Sequence, residues 1–246
     1  MSNKRVNSNE SLMDIFNDES LRNDPLYPKR IDIDNDNVIW RYGIKPDYAM
    51  MNTQYLRDRI ARWNDPNGLE NTVSNLIKSL EMELTNKIEP TQWLSMDPDV
   101  FYYKANDGRA VETLEAMEKG TYNILLDKVD KNLFDTSLPF DESHQQFHNA
   151  FKHGFMWELL KVYGGPPKIG FTWRHWGAFN GEFNNNKGNN QLIQMYGFGT
   201  ATVKMPNDND PYLRIQNFEV YFDSEKFLKE LNGIQYTGNK DIWYPN

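Results

Sequence analysis

The feature of this sequence that most constrains its fold is a pair of aromatic-rich segments, 155–163 and 168–179, separated by Gly-Gly-Pro-Pro at 164–167. Both segments are rich in the aromatic and β-branched residues that favour strands. Glycine and proline mark a turn between them, and proline cannot donate a hydrogen bond within a strand ladder. The pattern therefore predicts a β-hairpin and, with it, an antiparallel sheet.

Segments on both sides of this hairpin complete a predicted α+β fold. Apolar residues, including Ile77 and Leu80, recur at helical spacing through the first of the predicted helices. The predicted helices are 70–86, 110–125, 141–153 and 224–231, with Ser224 as the cap of the last, and the further predicted strands are 100–104, 192–205 and 212–222. Most helices precede the strands and there is no β-α-β alternation, so we predict helices packed on one face of the sheet.

One ordered domain between two tails is predicted for the 246 residues of the chain. Residues 1–37 are rich in Asn, Asp, Ser and Lys and hold too few apolar residues to offset the entropy of ordering them, which predicts a flexible arm. Residues 38–231 contain an aromatic lead-in and the predicted helices and strands. Residues 232–246 are interpreted as a polar, aromatic C-terminal tail.

The composition argues against several kinds of partner. A net charge of -8 and a pI near 5.1 oppose attraction to nucleic acid and to anionic membrane surfaces. The absence of cysteine excludes disulfides and cysteine-ligated metals. The N-terminus lacks the apolar run of a signal peptide, and no stretch approaches the roughly 20 apolar residues of a membrane span. We therefore predict a cytoplasmic protein whose partners include neither nucleic acid nor a membrane.

The first arm of the hairpin places a carboxylate in an apolar row. Alternate residues of a strand share a face, so Glu158 is aligned with Met156 and Leu160. A carboxylate among apolar neighbours has a raised pKa or is paired, which makes Glu158 a candidate catalytic acid or base. The alternative is a structural ion pair with Arg174, a residue that could instead bind a ligand carboxylate in a bidentate manner.

The second arm of the hairpin carries Trp173 and His175 on one face. His175 is a candidate catalytic residue because its reference pKa, about 6.5, suits both acid and base roles. Trp173 is a candidate ligand-binding side chain beside it. The alternative is that His175 is a hydrogen-bonded core residue in an aromatic row.

The last strand carries a polar row formed by Asn217, Glu219 and Tyr221. Glu219 is a second candidate for proton transfer, and Asn217 and Tyr221 are candidates for orienting a ligand oxygen. The alternative is that this row faces solvent, as one face of an antiparallel sheet commonly does.

Other titratable residues carry weaker signals. His144 and His148 have a metal-compatible spacing on a helix, but neither a third ligand nor the Glu of a zinc protease motif accompanies them, so no metal and no other cofactor is predicted. Glu81 and Glu83 flank the apolar stripe of the first helix. We interpret them as solvated rim charges, with reach into a pocket mouth as the alternative.

Three motifs carry a resemblance to a known family: Tyr-Gly-Gly-Pro-Pro at 163–167, Arg-His-Trp-Gly at 174–177 and Glu-Val-Tyr-Phe-Asp at 219–223. They resemble the plant pathogen-related protein family, within the SnoaL-like branch of the nuclear-transport-factor-2-like superfamily, and the similarity extends over about residues 40–231. The resemblance implies a cone-shaped, curved antiparallel sheet backed by the N-terminal helices. It also implies a pocket between helices and sheet and a homodimer formed through the outer sheet face.

The resemblance leaves the activity open, because this scaffold serves isomerases, dehydratases, polyketide cyclases and non-catalytic proteins. SnoaL-type cyclases close a ring by acid/base proton transfer without a cofactor, but their catalytic Asp and His fall near Gly199 and Phe179. Their Glu-His-Trp on the last strand meets 217–219, Asn-Phe-Glu in this chain.

Two hypotheses about function follow. The first is a small-molecule pocket protein, in its catalytic form a cofactor-free isomerase, lyase or cyclase acting on an apolar or aromatic oxygenated substrate. In it, Glu158 and Glu219 transfer protons, while His175, Arg174 and Tyr221 orient the substrate together with Asn217. The second is a non-catalytic ligand-binding or protein-interaction protein of the pathogen-related type.

Overall fold

The centre of the fold is a six-stranded sheet, seen in a computed structural model that describes residues 19–238. The strands, in chain order, are β1 (Tyr102–Ala105), β2 (Val111–Glu112), β3 (Met156–Gly164), β4 (Lys168–Phe179), β5 (Glu182–Phe183), β6 (Asn186–Lys187), β7 (Gln191–Lys204) and β8 (Arg214–Phe222). The sheet order is β2-β1-β8-β7-β4-β3, and β5 and β6 form a separate pair. Within the sheet, β1 runs parallel to β8 and the other neighbours are antiparallel.

Helices cover the inner face of this sheet. They are α1 (Glu19–Arg22), α2 (Ala49–Asp58), α3 (Leu69–Asn86), α4 (Thr113–Lys119), α5 (Thr121–Leu125), α6 (Phe140–Ala150) and α7 (Ser224–Leu231), with a short 3₁₀ turn at Pro90–Gln92. The longest helix, α3, buries an apolar stripe against the sheet. The predicted α+β class is therefore confirmed.

Large rings on the inner face pack over glycines of a neighbouring strand. Side chains alternate between the two faces of the sheet, and Phe171 and Trp173 of β4 point inward. They are paired in register with Gly199 and Gly197 of β7. A Cβ atom at either glycine would collide with the ring opposite it. These glycines therefore allow two fully buried aromatic rings to lie against the strand backbone.

The prediction of one continuous helix over 110–125 is wrong, because two short helices occupy most of this segment. Its start is the short strand β2, and Gly120 separates α4 from α5 with a φ of +76°. A side chain at Gly120 would collide with the ring of Phe140, which begins α6. The break therefore follows from a tertiary contact as well as from the glycine.

The hairpin and the last helix match the prediction closely. β4 has the predicted bounds, and β3 begins and ends one residue later than predicted. Helix α7 also has the predicted bounds, but its cap is Asp223, whose carboxylate accepts a hydrogen bond from the Lys226 backbone N–H at 2.9 Å. Ser224 is the first residue of the helix and not its cap.

The described part of the predicted N-terminal arm lies against α3. The backbone N–H of Lys29 donates to Asn75 Oδ1 at 3.0 Å, and that of Ile31 donates to Ser79 Oγ at 2.9 Å. Residues 19–37 are therefore not a free arm, whereas 1–18 lie outside the described residues, as do 239–246 of the predicted tail. Within 19–238, no helix combines the length and the apolar character needed to cross a membrane.

Candidate functional site

The inner face of the sheet and the helices over it enclose a cavity of about 560 Å³. Its walls come from α3, α6, β4 and β8 and from the segment that precedes α2. Ten Phe, Tyr and Trp side chains contribute to the lining: Tyr42, Tyr48, Tyr103, Tyr122, Phe147, Phe151, Phe155, Trp157, Trp173 and Phe218. The structure thus has a pocket between helices and sheet, where the family resemblance places one.

Glu81 brings a carboxylate from α3 to the wall of this cavity. It follows Ile77, another lining residue, by about one helical turn, so both side chains leave the helix on the same face. Among the residues that the structure describes, none donates a hydrogen bond to this carboxylate. Glu81 therefore reaches the pocket, as the alternative interpretation has it, although its side chain remains partly exposed.

The environment of Glu81 brings its proton equilibrium close to neutral pH. Burial raises the pKa of Glu81 to about 7, although the positive charges of Lys78 and Arg30 act in the opposite direction. Burial has this effect because the ionised carboxylate loses its hydration. A carboxyl group with such a pKa can accept and release a proton at physiological pH, as a general acid or base must.

Lys78 is a buried cation three residues before Glu81 on α3. Its ammonium donates to Ser74 Oγ at 3.2 Å and to the backbone oxygen of Trp157 at 3.0 Å. Burial lowers the pKa of Lys78, and the charge of Arg30 lowers it further. Its partners are therefore uncharged oxygens, with no carboxylate within ion-pair distance in the described chain.

Arg30 reaches the same cluster from the segment between α1 and α2. Its Nη1 donates to Asn52 Oδ1 at 3.0 Å, and its guanidinium carbon lies 3.6 Å from the centre of the Tyr48 ring. A guanidinium keeps its charge at all ordinary pH values. Glu81 therefore has two cations nearby, Arg30 and Lys78, and forms an ion pair with neither.

Three tyrosines, Tyr48, Tyr103 and Tyr122, line the cavity and are affected by the charge of Glu81. Burial raises the pKa of each phenol, and the negative charge of Glu81 acts in the same direction. The hydroxyl of Tyr48 accepts a hydrogen bond from Asn86 at 3.1 Å. Those of Tyr103 and Tyr122 have no hydrogen-bond partner within the described chain. Both can therefore donate to an oxygen atom of a ligand.

Of the predicted site residues, His175 and Trp173 line the cavity. The His175 ring stacks on Phe155, with 3.9 Å between ring centres. Burial lowers the pKa of His175 to about 3, so the ring is neutral at physiological pH, and its Nδ1 has no partner within residues 19–238. His175 therefore contributes a neutral ring with a buried Nδ1 to the wall and does not offer a positive charge.

His144 and His148 also border the cavity, on α6. The His144 ring stacks on Phe140, with 5.1 Å between ring centres, and burial lowers its pKa to about 4. Within the described residues, no cluster of three or more His, Asp or Glu side chains is arranged for a metal ion. The pair therefore contributes neutral rings to the wall.

Glu158 and Arg174 lie on the outer face and do not border the cavity. Glu158 is fully buried, and its Oε1 accepts hydrogen bonds from the backbone N–H groups of Ile60 and Ala61, both at 2.7 Å. Its Oε2 is 3.2 Å from Arg174 Nη1. The structure therefore shows the ion pair that was the alternative interpretation of Glu158, because the neighbouring Trp157 occupies the inward position.

The row of Asn217, Glu219 and Tyr221 also lies on the outer face, away from the cavity. Glu219 accepts hydrogen bonds from Tyr221 at 2.6 Å and from Tyr102 at 2.9 Å, and the bond from Tyr221 lowers its pKa. Asn217 Oδ1 accepts from the backbone of Thr202 at 3.0 Å. The structure does not bring Glu158, Glu219 and His175 into one site.

Comparison with known proteins adds one significant relative. No family model matches the chain. Over 197 residues, the chain is 27% identical to the pathogen-related protein of Hordeum vulgare, which covers 78% of this chain and 81% of that protein. The chain resembles a pathogen-related protein. The resemblance predicted from the sequence motifs is thereby confirmed.

Solved structures give a weaker similarity than this pathogen-related protein does. A candidate SnoaL-like polyketide cyclase from Jannaschia sp. CCS1 is 14% identical and covers 70% of this chain and 100% of its own, with a TM-score of 0.37. IdmH, a candidate polyketide cyclase from Streptomyces antibioticus, is 11% identical and covers 65% and 97%, with a TM-score of 0.39.

Three side chains of the cavity region are missing from the residues predicted from sequence, Arg30, Tyr103 and Tyr122, and Glu81 was given a place at the pocket only as an alternative. A signal existed for Glu81, because it lies four residues after Ile77 within the apolar stripe. A signal existed also for Tyr103, which alternates with the apolar residues of a predicted strand. Arg30 had none, because it lies in a segment whose composition is polar.

Proposed function

We propose that this chain binds a small apolar or aromatic oxygenated molecule in the cavity and acts on it as a cofactor-free acid/base enzyme of the isomerase, lyase or cyclase kind. The observation that carries the proposal is the state of Glu81. Its carboxylate lines an aromatic cavity, has no hydrogen-bond donor in the described chain, and has a pKa raised to about 7.

The proposed chemistry begins with removal of a proton from a carbon next to a carbonyl group of the ligand. Glu81 accepts this proton, and the electron pair of the broken C–H bond moves onto the carbonyl oxygen. Tyr103 or Tyr122 donates a hydrogen bond to that oxygen and so stabilises the developing negative charge. Glu81 then returns the proton at another position, which completes an isomerisation, or delivers it to a leaving group.

The size and lining of the cavity support a small ligand. A volume of about 560 Å³ falls within the roughly 300–1,000 Å³ that is typical of small-molecule sites. Aromatic walls such as Trp157 and Phe155 exclude water from bound ligand, which strengthens the electrostatic effect of Glu81 and of the two tyrosines. Apolar and aromatic ligands fit such a lining best.

A proton-exchange assay with a simple aromatic ketone tests this proposal. The protein is incubated with 1-tetralone in D₂O, and incorporation of deuterium next to the carbonyl is followed by mass spectrometry. We expect wild type and the control variant Glu219→Gln to accelerate the exchange, and Glu81→Gln to lose about 100-fold or more of the acceleration. Equal rates for wild type and Glu81→Gln would contradict the proposal.

Non-catalytic ligand binding is the second candidate, and the positions of the cyclase residues favour it. Gly199 lies beneath the Phe171 ring, where no side chain fits, and Phe179 is fully buried in the core. Neither position can present an acid or base to a ligand. Native mass spectrometry, combined with the exchange assay, distinguishes the enzyme from a non-catalytic binding protein. A protein that co-purifies with a small molecule but does not accelerate exchange is a binding protein.

Two further properties remain part of the proposal. A homodimer formed through the outer sheet face and a cytoplasmic location are predictions that accompany this function. Size-exclusion chromatography with light scattering measures the first, and a mass near twice the 29.0 kDa of one chain is expected.

A further inference from the structure

A second, smaller cavity lies directly beside the first. It has a volume of about 40 Å³, and five residues line both cavities: Tyr48, Met51, Glu81, Phe155 and Trp157. The two spaces therefore share part of their walls. The remaining lining of the small cavity includes Arg30, Asn52, Tyr55 and Lys78. The small cavity is therefore the polar end of a larger, mostly aromatic site.

Two cations border this small cavity without a carboxylate to pair with. In the described part of the chain, neither Arg30 nor Lys78 has an Asp or Glu oxygen within 4.0 Å. Glu81 offers one negative charge against these two positive charges. Buried charges are costly unless they are paired, so the cluster is suited to a partner that carries one further negative charge.

Unused hydrogen-bond donors of these cations are available as well. Arg30 donates through Nη1 to Asn52, while its Nε is buried and has no partner among the described residues. The Nε and Nη2 edge of a guanidinium is one that binds carboxylates in a bidentate manner. Lys78 has three N–H donors and uses two of them, toward Ser74 and Trp157, while its ammonium also lies 4.2 Å from the centre of the Tyr55 ring.

The position of Arg30 is fixed by the backbone on both sides of it. The N–H of Lys29 and the N–H of Ile31 donate to Asn75 and Ser79 of α3, at 3.0 and 2.9 Å. The Arg30 guanidinium also packs on the Tyr48 ring. A preorganised arginine loses little conformational entropy when it binds an anion, which favours recognition at this position.

We propose that the small cavity is a carboxylate-binding subsite, and that the ligand is an apolar or aromatic carboxylic acid whose hydrophobic part lies in the large cavity. This inference rests on the proposed function of the large cavity. A water molecule needs about 10–15 Å³ of such volume, so about 40 Å³ accommodates the two oxygens of a carboxylate. Because Glu81 borders both cavities, a carboxylate held by Arg30 places the adjacent carbon of the ligand beside Glu81.

Isothermal titration calorimetry with a matched pair of probes tests the subsite. The probes are 1-naphthaleneacetate and its neutral counterpart 1-naphthaleneacetamide, both at pH 6, where Lys78 is protonated although burial lowers its pKa to about 7. We expect wild type to bind the acid at least about tenfold more tightly than the amide, since hydrogen bonds to charged groups are stronger than those to neutral ones. Arg30→Gln should reduce this ratio to about one, because it weakens binding of the acid far more than binding of the amide.

The control is Arg41→Gln, because Arg41 also packs on an aromatic ring, that of Phe140, but borders neither cavity. Its acid-to-amide ratio should equal that of wild type. If Arg30→Gln does not fold, as judged by its thermal midpoint, Lys78→Met is measured in the same way and should also lower the ratio. A ratio near one in wild type would overturn the subsite while the large cavity stands. Failure of both probes to bind would overturn both proposals.

Discussion

Lys78 and Glu81 lie three residues apart on α3 and both border the small cavity, yet no ion pair joins them. Their charges nevertheless affect each other, because Lys78 is buried and Glu81 lies beside it in the wall of the same cavity. They therefore titrate as a pair, and a change in one alters the proton affinity of the other. This relationship allows the role of Glu81 to be tested through its neighbour.

Lys78→Met should raise the pKa of Glu81. Burial raises this pKa and the positive charge of Lys78 lowers it. Removal of that charge therefore allows burial to raise the pKa further. We expect the pH profile of the exchange reaction to move toward higher pH by about one unit, which corresponds to about 1.4 kcal/mol. Lys104→Met, a change near Glu219, is the control and should leave the profile in place. An unchanged profile in Lys78→Met would contradict the assignment of Glu81 as the titrating group.

Glu81→Gln should alter how stability depends on pH. The pKa of Glu81 is higher in the folded protein than in the unfolded chain, so the folded state holds this proton more tightly, and wild type loses stability as pH rises from about 4.5 to about 7. The glutamine variant lacks this loss. Its stability relative to wild type should improve by about 1–2 kcal/mol between pH 5 and pH 8. Urea unfolding at both pH values measures the difference, and a constant difference would argue against a raised pKa.

Glu158→Gln should destabilise the fold. The fraction of the variant that still folds should keep its proton-exchange activity. The substitution leaves Arg174 buried beside a neutral partner, which costs about 3 kcal/mol in comparable cases. Glu219→Gln is the matched control, because Glu219 is partly exposed and should cost about 1 kcal/mol or less. Urea unfolding compares the two variants. A Glu158→Gln protein with wild-type stability and no activity would support a catalytic role for Glu158 instead.

Gly197→Ala should disturb the wall of the cavity. The new methyl group would collide with the Trp173 ring and with the backbone oxygen of Tyr221, so Trp173 has to move. Overpacking of this kind costs about 1–3 kcal/mol. Gly170→Ala is the control, because its added Cβ meets Phe198 at an ordinary distance of 3.4 Å. Equal thermal midpoints for the two variants would show that the strand accommodates the change.

Local sequence patterns predicted most of the fold because strands and turns are specified by nearby residues. The Gly-Pro linker at 164–167 and the aromatic rows beside it predicted β3 and β4 almost to the residue. The break at Gly120 escaped prediction because it depends on contact with Phe140, which is distant in sequence. The cap of α7 was displaced by one residue because Asp223 competes with Ser224 for the same role.

The site was less predictable because its members come from distant segments. Alternation along β4 identified His175 and Trp173, but periodicity alone does not say which sheet face borders the cavity, so Glu158 and Glu219 were included. The position of Arg30 depends on hydrogen bonds made by its two neighbours, Lys29 and Ile31. They donate to side chains that lie 46 and 48 residues further along the chain. No pattern within a polar segment reveals such a contact. The position of Glu81 was visible in the helical stripe, but its burial was not.

A ¹³C NMR titration of the Glu81 side-chain carboxyl tests the central claim most directly. The protein is labelled with [5-¹³C]glutamate, and Glu81→Gln assigns the signal by its disappearance. If Glu81 is the proton-transfer group of an aromatic cavity, its signal should titrate with a midpoint near pH 7. A midpoint near 4.5, the ordinary value for glutamate, would contradict the claim.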